Sequence, residues 1–127
     1  MAYVTTWKSS IQPRKQRTYR REAPNHIKGK FMASHLSESL RNKFKTRSMR
    51  VKKGDTVKVV RGDFKGSSGK IESVNTTKNK VYIAGVEVTK KDGSKVMRPV
   101  DPSNIIIQEL DTTVNDKRRL KRWAKTT

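Results

Sequence analysis

Between positions 54 and 71 the chain reads Gly-Asp-Thr-Val-Lys-Val-Val-Arg-Gly-Asp-Phe-Lys-Gly-Ser-Ser-Gly-Lys-Ile, and no other stretch limits the fold so tightly. Val57 and Val59 fall on one side of an extended segment and Lys58 and Val60 on the other, a period of two that suits a half-buried strand. Gly62, Gly66 and Gly69 then punctuate a reversal before Lys70 and Ile71 begin a second extended run. Glycines at such a reversal supply the positive φ angles that other residues avoid. A loop without bulk also lets backbone N–H groups approach phosphate while Arg61, Lys65 and Lys70 add charge. No Gly-Lys-Ser/Thr stands at P-loop spacing and no helical pattern follows, so this is not a nucleotide-binding P-loop.

The same alternation continues downstream. Residues 70–75 carry Ile71 and Val74, turn formers fill 75–79, and 80–84 alternate with Val81 and Ile83 as the inward pair. Gly85 suggests a bulge, Val86 to Thr89 continue the strand, and Asp92-Gly93 is a hairpin turn. Residues 95–100 return through Val96 and Met97, and 105–110 close the set. Five short strands predict a mainly β domain over residues 51–110, a small SH3-like barrel that leaves no open edges.

The rest of the chain is governed by charge. There are 127 residues with 31 Lys and Arg against 11 Asp and Glu, a net +20, and the hydrophobic share of 31% is low for a core along the whole length. Residues 1–50 hold 13 basic and 2 acidic side chains, 51–110 hold 12 and 7, and 111–127 hold 6 and 2. The excess sits at the ends. A polyanion relieves such self-repulsion, with nucleic acid the first candidate and an anionic membrane surface the second. No segment approaches the roughly 18 apolar residues of a membrane span, and the N-terminus lacks the apolar run of a secretory signal, so the chain reads as intracellular. Without cysteine there is no disulfide and no thiolate metal site.

Catalytic chemistry is not expected. His26 and His35 stand nine residues apart with no carboxylate at ligand spacing, so neither metal nor cofactor is implied. Asp55 and Asp63 bracket the first strand, where turn chemistry and loop capping explain them better than acid–base work. No Ser, His and carboxylate set reads as a nucleophile system, and no small-molecule substrate is implied.

Outside the barrel, residues 1–35 form a basic extension. Arg14, Lys15, Arg17, Arg20, Arg21, Lys28 and Lys30, interrupted by Pro13, Pro24 and Gly29, predict an extended arm that stays disordered until bound. Arginines with Tyr19 among them suit RNA; a localisation signal or solubility tail is the plainer alternative. Residues 36–50 contain a short helix capped by Ser37, with Leu36, Leu40 and Phe44 at four-residue spacing, then a basic linker. Arg47, Arg50, Lys52 and Lys53 lead into the first strand, a second contact or a solvated linker. The tail, 111–127, is basic; Asn115 would cap a helix on which Leu120 and Trp123 share a face. Tyr3, Trp7 and Trp123 are open to three roles: stacking on bases, docking on a protein, or packing on the barrel.

Val57, Val59, Gly62, Lys65, Gly66, Gly69 and Ile71 match the KOW motif of ribosomal and transcription-associated RNA binders. Three further stretches extend the match: Leu-Ser-Glu-Ser-Leu-Arg at 36–41, Arg-Val-Lys-Lys-Gly-Asp at 50–55, and Arg-Pro-Val-Asp-Pro-Ser-Asn at 98–104. Together they resemble the archaeal and eukaryotic branch of the universal large-subunit ribosomal protein family number twenty-four, twenty-six in eukaryotes. The resemblance runs from Pro13 to Leu110. It implies an SH3-like barrel, direct binding to large-subunit ribosomal RNA early in assembly, neighbouring ribosomal proteins, a place near the peptide exit, and a cytoplasmic location on the ribosome. Candidate RNA contacts are the arm and linker cations named above with Arg61, Gly62, Lys65, Gly66, Lys70, Arg98, Lys117, Arg118 and Arg119. Two other readings stay open: a KOW module of the transcription machinery, and an architectural DNA-binding protein.

Overall fold

A computed structural model describes residues 3–112 and 119–120. The glycine-punctuated stretch forms the expected hairpin: β3 (Thr56–Val59) pairs antiparallel with β4 (Ser68–Asn75), Lys58 opposite Ser68 and Thr56 opposite Lys70. Val57 and Val59 are buried, and Lys58 is exposed, as the alternation requires. β4 is long enough to serve two neighbours. Its first residues pair with β3 and its later ones with β5 (Lys80–Ile83), with a register shift between Ile71 and Ser73 where the strand bends around the core. β8 (Ile105–Glu109) covers the other side of β3, with Ile105 opposite Val59.

β6 (Glu87–Thr89) and β7 (Lys95–Met97) make a separate two-stranded hairpin. The Arg98 N–H, donating to the Val86 carbonyl at 2.9 Å, and a bridge between Val81 and Val100 tie it to the main sheet. At its turn, the Ser94 hydroxyl and N–H donate to Asp92 at 2.6 and 2.9 Å and hold that carboxyl below the usual carboxylate range. Val88 and Val96 face each other across this hairpin at 39% and 43% exposure, because it stands outside the core.

Two strands were not anticipated. β1 (Ala33–Leu36) runs parallel to β8 and antiparallel to β2 (Ser48–Arg50), which gives the sheet the order β2-β1-β8-β3-β4-β5. The sheet therefore starts well before position 51, where the sequence suggested its boundary. Between these strands lies the predicted helix, α3 (Glu38–Phe44), with Ser37 at its N-cap position; the Ser37 carbonyl accepts the Arg41 N–H at 2.9 Å, but its hydroxyl meets the Ser39 hydroxyl at 3.1 Å instead of capping a backbone N–H. Leu36 is buried in the core, and Leu40 and Phe44 pack against it. Met32, Leu36 and Met49 join Val51, Val57, Val59, Ile71, Val81, Ile83, Val86, Val100, Ile105 and Ile107 in one apolar cluster.

The N-terminal arm departs from expectation. It folds as a 3-10 turn (Thr5–Ser9), α1 (Pro13–Glu22) and α2 (Asn25–Phe31) rather than as an extended arm. Pro13 is preorganised for a first helical turn, Lys, Gln and Arg are good helix formers, and Pro24 turns the chain out of α1. Tyr19 supplies what a tally of charges hides. It is buried, its ring 5.1 Å from Tyr3 and 6.2 Å from Phe31, while Ala23 is buried nearby in the chain. Desolvation, then the neighbouring Tyr19 phenol, pushes Tyr3 up to about 12. Among the described residues no helix is long and apolar enough to cross a membrane.

Candidate nucleic-acid interface

At the tip of the β3–β4 hairpin, Gly62 and Gly66 have φ of +97° and +93°, and a Cβ on either would point into open space. Gly69 works differently. A Cβ there would collide with the Ala84 carbonyl oxygen and lie 3.0 Å from Ile83 Cγ2, so it permits a close approach of backbones rather than a turn. The loop also spends its own donors: Lys65, Gly66 and Ser67 N–H groups bond to the carbonyls of Gly62, Val59 and Phe64 at 3.1, 2.8 and 3.0 Å. The phosphate-approaching amides anticipated from the glycines are thus engaged at these positions, which leaves the loop a rigid mount for Arg61 and Lys65. Gly66→Val should cost about 1–3 kcal/mol of backbone strain at the tip. Gly69→Val should cost a similar amount through overpacking. Urea unfolding reads both, and only Gly66→Val should also change RNA affinity beyond its stability loss.

Arg61 and Arg98 meet across a cleft of about 170 Å³ that Asp63, Phe64, Asp101 and Asn104 also line. Along the hairpin, Lys58 and Lys70 project from the outer face. Lys58 is not among the candidates drawn from the sequence, although the alternation that buries Val57 and Val59 turns it outward.

A second group of cations lies on the N-terminal helices and the sheet edge. Five of the ten residues of α1 are Arg or Lys, and Arg14, Arg17, Arg20 and Arg21 are exposed. Arg20 lies 5.6 Å from the Phe31 ring centroid, and Arg21 contacts Glu22 at 3.2 Å. On α2 the backbone at Gly29 is bare enough for Arg50 of the edge strand β2 to lie against it, its guanidinium carbon 2.7 Å from where a Cβ would stand. Lys28, Lys30 and Arg50 are thereby neighbours, and Arg47 precedes β2 on the same edge. Lys52 donates its N–H to Asp55, and Lys53 is exposed.

One candidate is placed elsewhere. Arg119 is buried at 7% exposure and grips Asp55, Nη1 to Oδ1 at 3.1 Å and Nη2 to Oδ2 at 2.9 Å. Asp55, itself fully buried, also accepts the N–H groups of Lys52 and Asp111 at 3.0 and 3.1 Å. Arg119 therefore anchors the tail to the barrel and does not face a polyanion, since a buried carboxylate draws a guanidinium inward. Lys117, Arg118, Asn115 and Trp123 lie outside the described residues.

Arg14, Arg17, Arg20, Lys30, Arg47, Arg50, Arg61, Lys65, Lys70 and Arg98 are all exposed, and among the described residues none forms an ion pair or a side-chain hydrogen bond. These ten cations are held on α1, α2, the edge strand and the segment before it, the β3–β4 hairpin and the segment after β7, which makes a preformed basic surface. Among the described residues, no group of three or more His, Cys, Asp or Glu is placed to hold a metal ion.

The family described as "Ribosomal proteins L26 eukaryotic, L24P archaeal" matches residues 10–123. The chain is 50% identical over 113 residues, 89% of its length and 92% of the relative's, to "Large ribosomal subunit protein uL24" of Methanoculleus marisnigri. It is 50% identical over 110 residues to the protein of that name from Methanospirillum hungatei, covering 87% and 90% of the two chains. The counterpart in Methanocorpusculum labreanum is 51% identical over 104 residues, 82% of this chain and 86% of the relative. The chain belongs to the L26/L24P family of ribosomal proteins.

Proposed function

We propose that this protein is a structural constituent of the large ribosomal subunit that binds ribosomal RNA directly, joins early in assembly and sits near the peptide exit. The observation that carries direct RNA binding is the set of ten exposed cations that form no ion pair among the described residues. A fold that strands so much charge on rigid elements is at its most favourable against phosphate. The large subunit is the assembly named for its relatives. Early joining and the exit-side position rest on the family resemblance alone.

In this reading the barrel offers Arg61 and Lys65 from the tip of the β3–β4 hairpin and Arg98 from across the adjoining cleft, while α1, α2 and the β2 edge offer Arg14, Arg17, Arg20, Arg21, Lys28, Lys30, Arg47 and Arg50. Selectivity comes from the spacing of these groups, because folded RNA hides its base edges in a deep groove. The test is sedimentation of the tagged protein from gently lysed cells with a high-salt wash of the large-subunit peak. Stoichiometric retention is expected; loss to light fractions or to a polymerase peak would overturn the reading.

A further inference from the structure

A cleft lies between the 3-10 turn and α1. Trp7, Arg14, Lys15, Thr18 and Arg21 line it around a volume of about 320 Å³, room for a single nucleotide. Its two walls are locked together. Gln16 Nε2 lies 3.1, 3.0 and 2.8 Å from the carbonyl oxygens of Trp7, Lys8 and Ser10, which fixes the turn that carries Trp7 against the helix. Arg14, Thr18 and Arg21 follow the helical i, i+4, i+7 spacing and so share one face of α1. Thr18 donates its hydroxyl proton to the Arg14 carbonyl at 3.1 Å and keeps lone pairs to accept with. Among the described residues no carboxylate lines the cleft, whereas three cations do; one of them, Arg21, also contacts Glu22 at 3.2 Å, a solvent-facing pair worth little. Trp7 precedes residue 10, where the family match begins.

We propose that this cleft holds one unpaired nucleotide of ribosomal RNA, its base stacked on Trp7 and its flanking phosphates held by Arg14 and Arg21. The proposal rests on the RNA-binding reading above. Indole faces stack on any base, and guanidinium forks match phosphate oxygens. A paired base inside a helix cannot be offered to such a cleft, so the ligand is single-stranded. An acidic peptide would satisfy the cations but gives the indole no planar partner.

Trp7 and Trp123 are the two tryptophans, so Trp123→Phe in the full chain leaves Trp7 as the sole indole reporter. This protein would be titrated with hexa-adenylate and with an abasic hexamer of equal charge. Quenching of Trp7 emission by the adenylate but not the abasic strand is expected. Trp7→Leu should weaken adenylate binding by about five- to 150-fold while leaving the abasic strand unaffected. Arg14→Gln, which keeps the reporter in place should Trp7→Leu disturb the turn, is expected to weaken both strands without abolishing the quench at saturation. Identical emission with both strands overturns the proposal, and does so even if the parent protein still binds large-subunit RNA in a filter assay. Failure of the parent in that filter assay would overturn the RNA-binding reading itself.

Discussion

Asp55→Ala is expected to destabilise the protein by about 3–5 kcal/mol in urea unfolding at constant ionic strength. Four donors converge on this one fully buried carboxylate: two guanidinium nitrogens of Arg119 at 3.1 and 2.9 Å and the N–H groups of Lys52 and Asp111. Truncation leaves the Arg119 charge buried with its main counter-charge gone and removes the acceptor of two backbone donors, which costs far more than the pair contributes over an apolar replacement. For a domain whose whole stability is on the order of 5–15 kcal/mol, that loss is decisive. The double variant Asp55→Ala with Arg119→Leu should recover much of it, because the stranded charge leaves with its partner. A single variant within about 1 kcal/mol of the parent would refute a structural role for the pair. Leu120 lines an apolar groove with Leu40, Phe44 and Leu110, so the same loss should loosen the packing of Leu120 on α3 and β8.

The elements that were legible in the sequence are those whose pattern is local. Val57 and Val59 announce β3 because burial on one face imposes alternation, and Ser37 with Leu40 and Phe44 announces α3 because caps and four-residue spacing act within a few residues. β1 was hidden. Ala-Ser-His-Leu contains none of the strong strand formers Val, Ile, Thr, Tyr, Phe and Trp, and it is a strand because β8 pairs with it and because the Ser34 hydroxyl reaches the Ile105 carbonyl, 71 positions away, at 2.6 Å. The helical arm was misread because its charges are conspicuous while Tyr3, Tyr19 and Phe31 are scattered, and only their contact makes a cluster. Charge predicted the kind of site but not its membership. Nothing in Lys-Arg-Arg at 117–119 says that Arg119 turns inward, since its partner Asp55 is 64 positions distant. Lys58, by contrast, could have been added from the alternation alone.

Binding of a large-subunit RNA fragment should lose several orders of magnitude between about 50 and 200 mM salt, as counterion release demands when 6 to 10 phosphates are neutralised. The informative quantity is the slope of log affinity on log salt, because it counts contacted phosphates rather than net charge. Converting Arg14, Arg17, Arg20 and Arg21 together to Gln should lower that slope by about three. Converting Arg61, Lys65, Lys70 and Arg98 should do the same, and the two sets combined should approach the sum, since they sit on separate elements. Glutamine is shorter and neutral but keeps hydrogen-bonding capacity and good helix propensity, so the fold, checked by its unfolding midpoint, should survive either set. The protein stays strongly basic after either change, and non-specific attraction persists; only the loss of close phosphate contacts moves the slope. If the helix set leaves the slope untouched while the hairpin set lowers it, α1 stands away from the RNA and the interface reduces to the barrel. If neither moves it, the stranded cations are not the phosphate-binding surface and direct RNA binding through them is refuted.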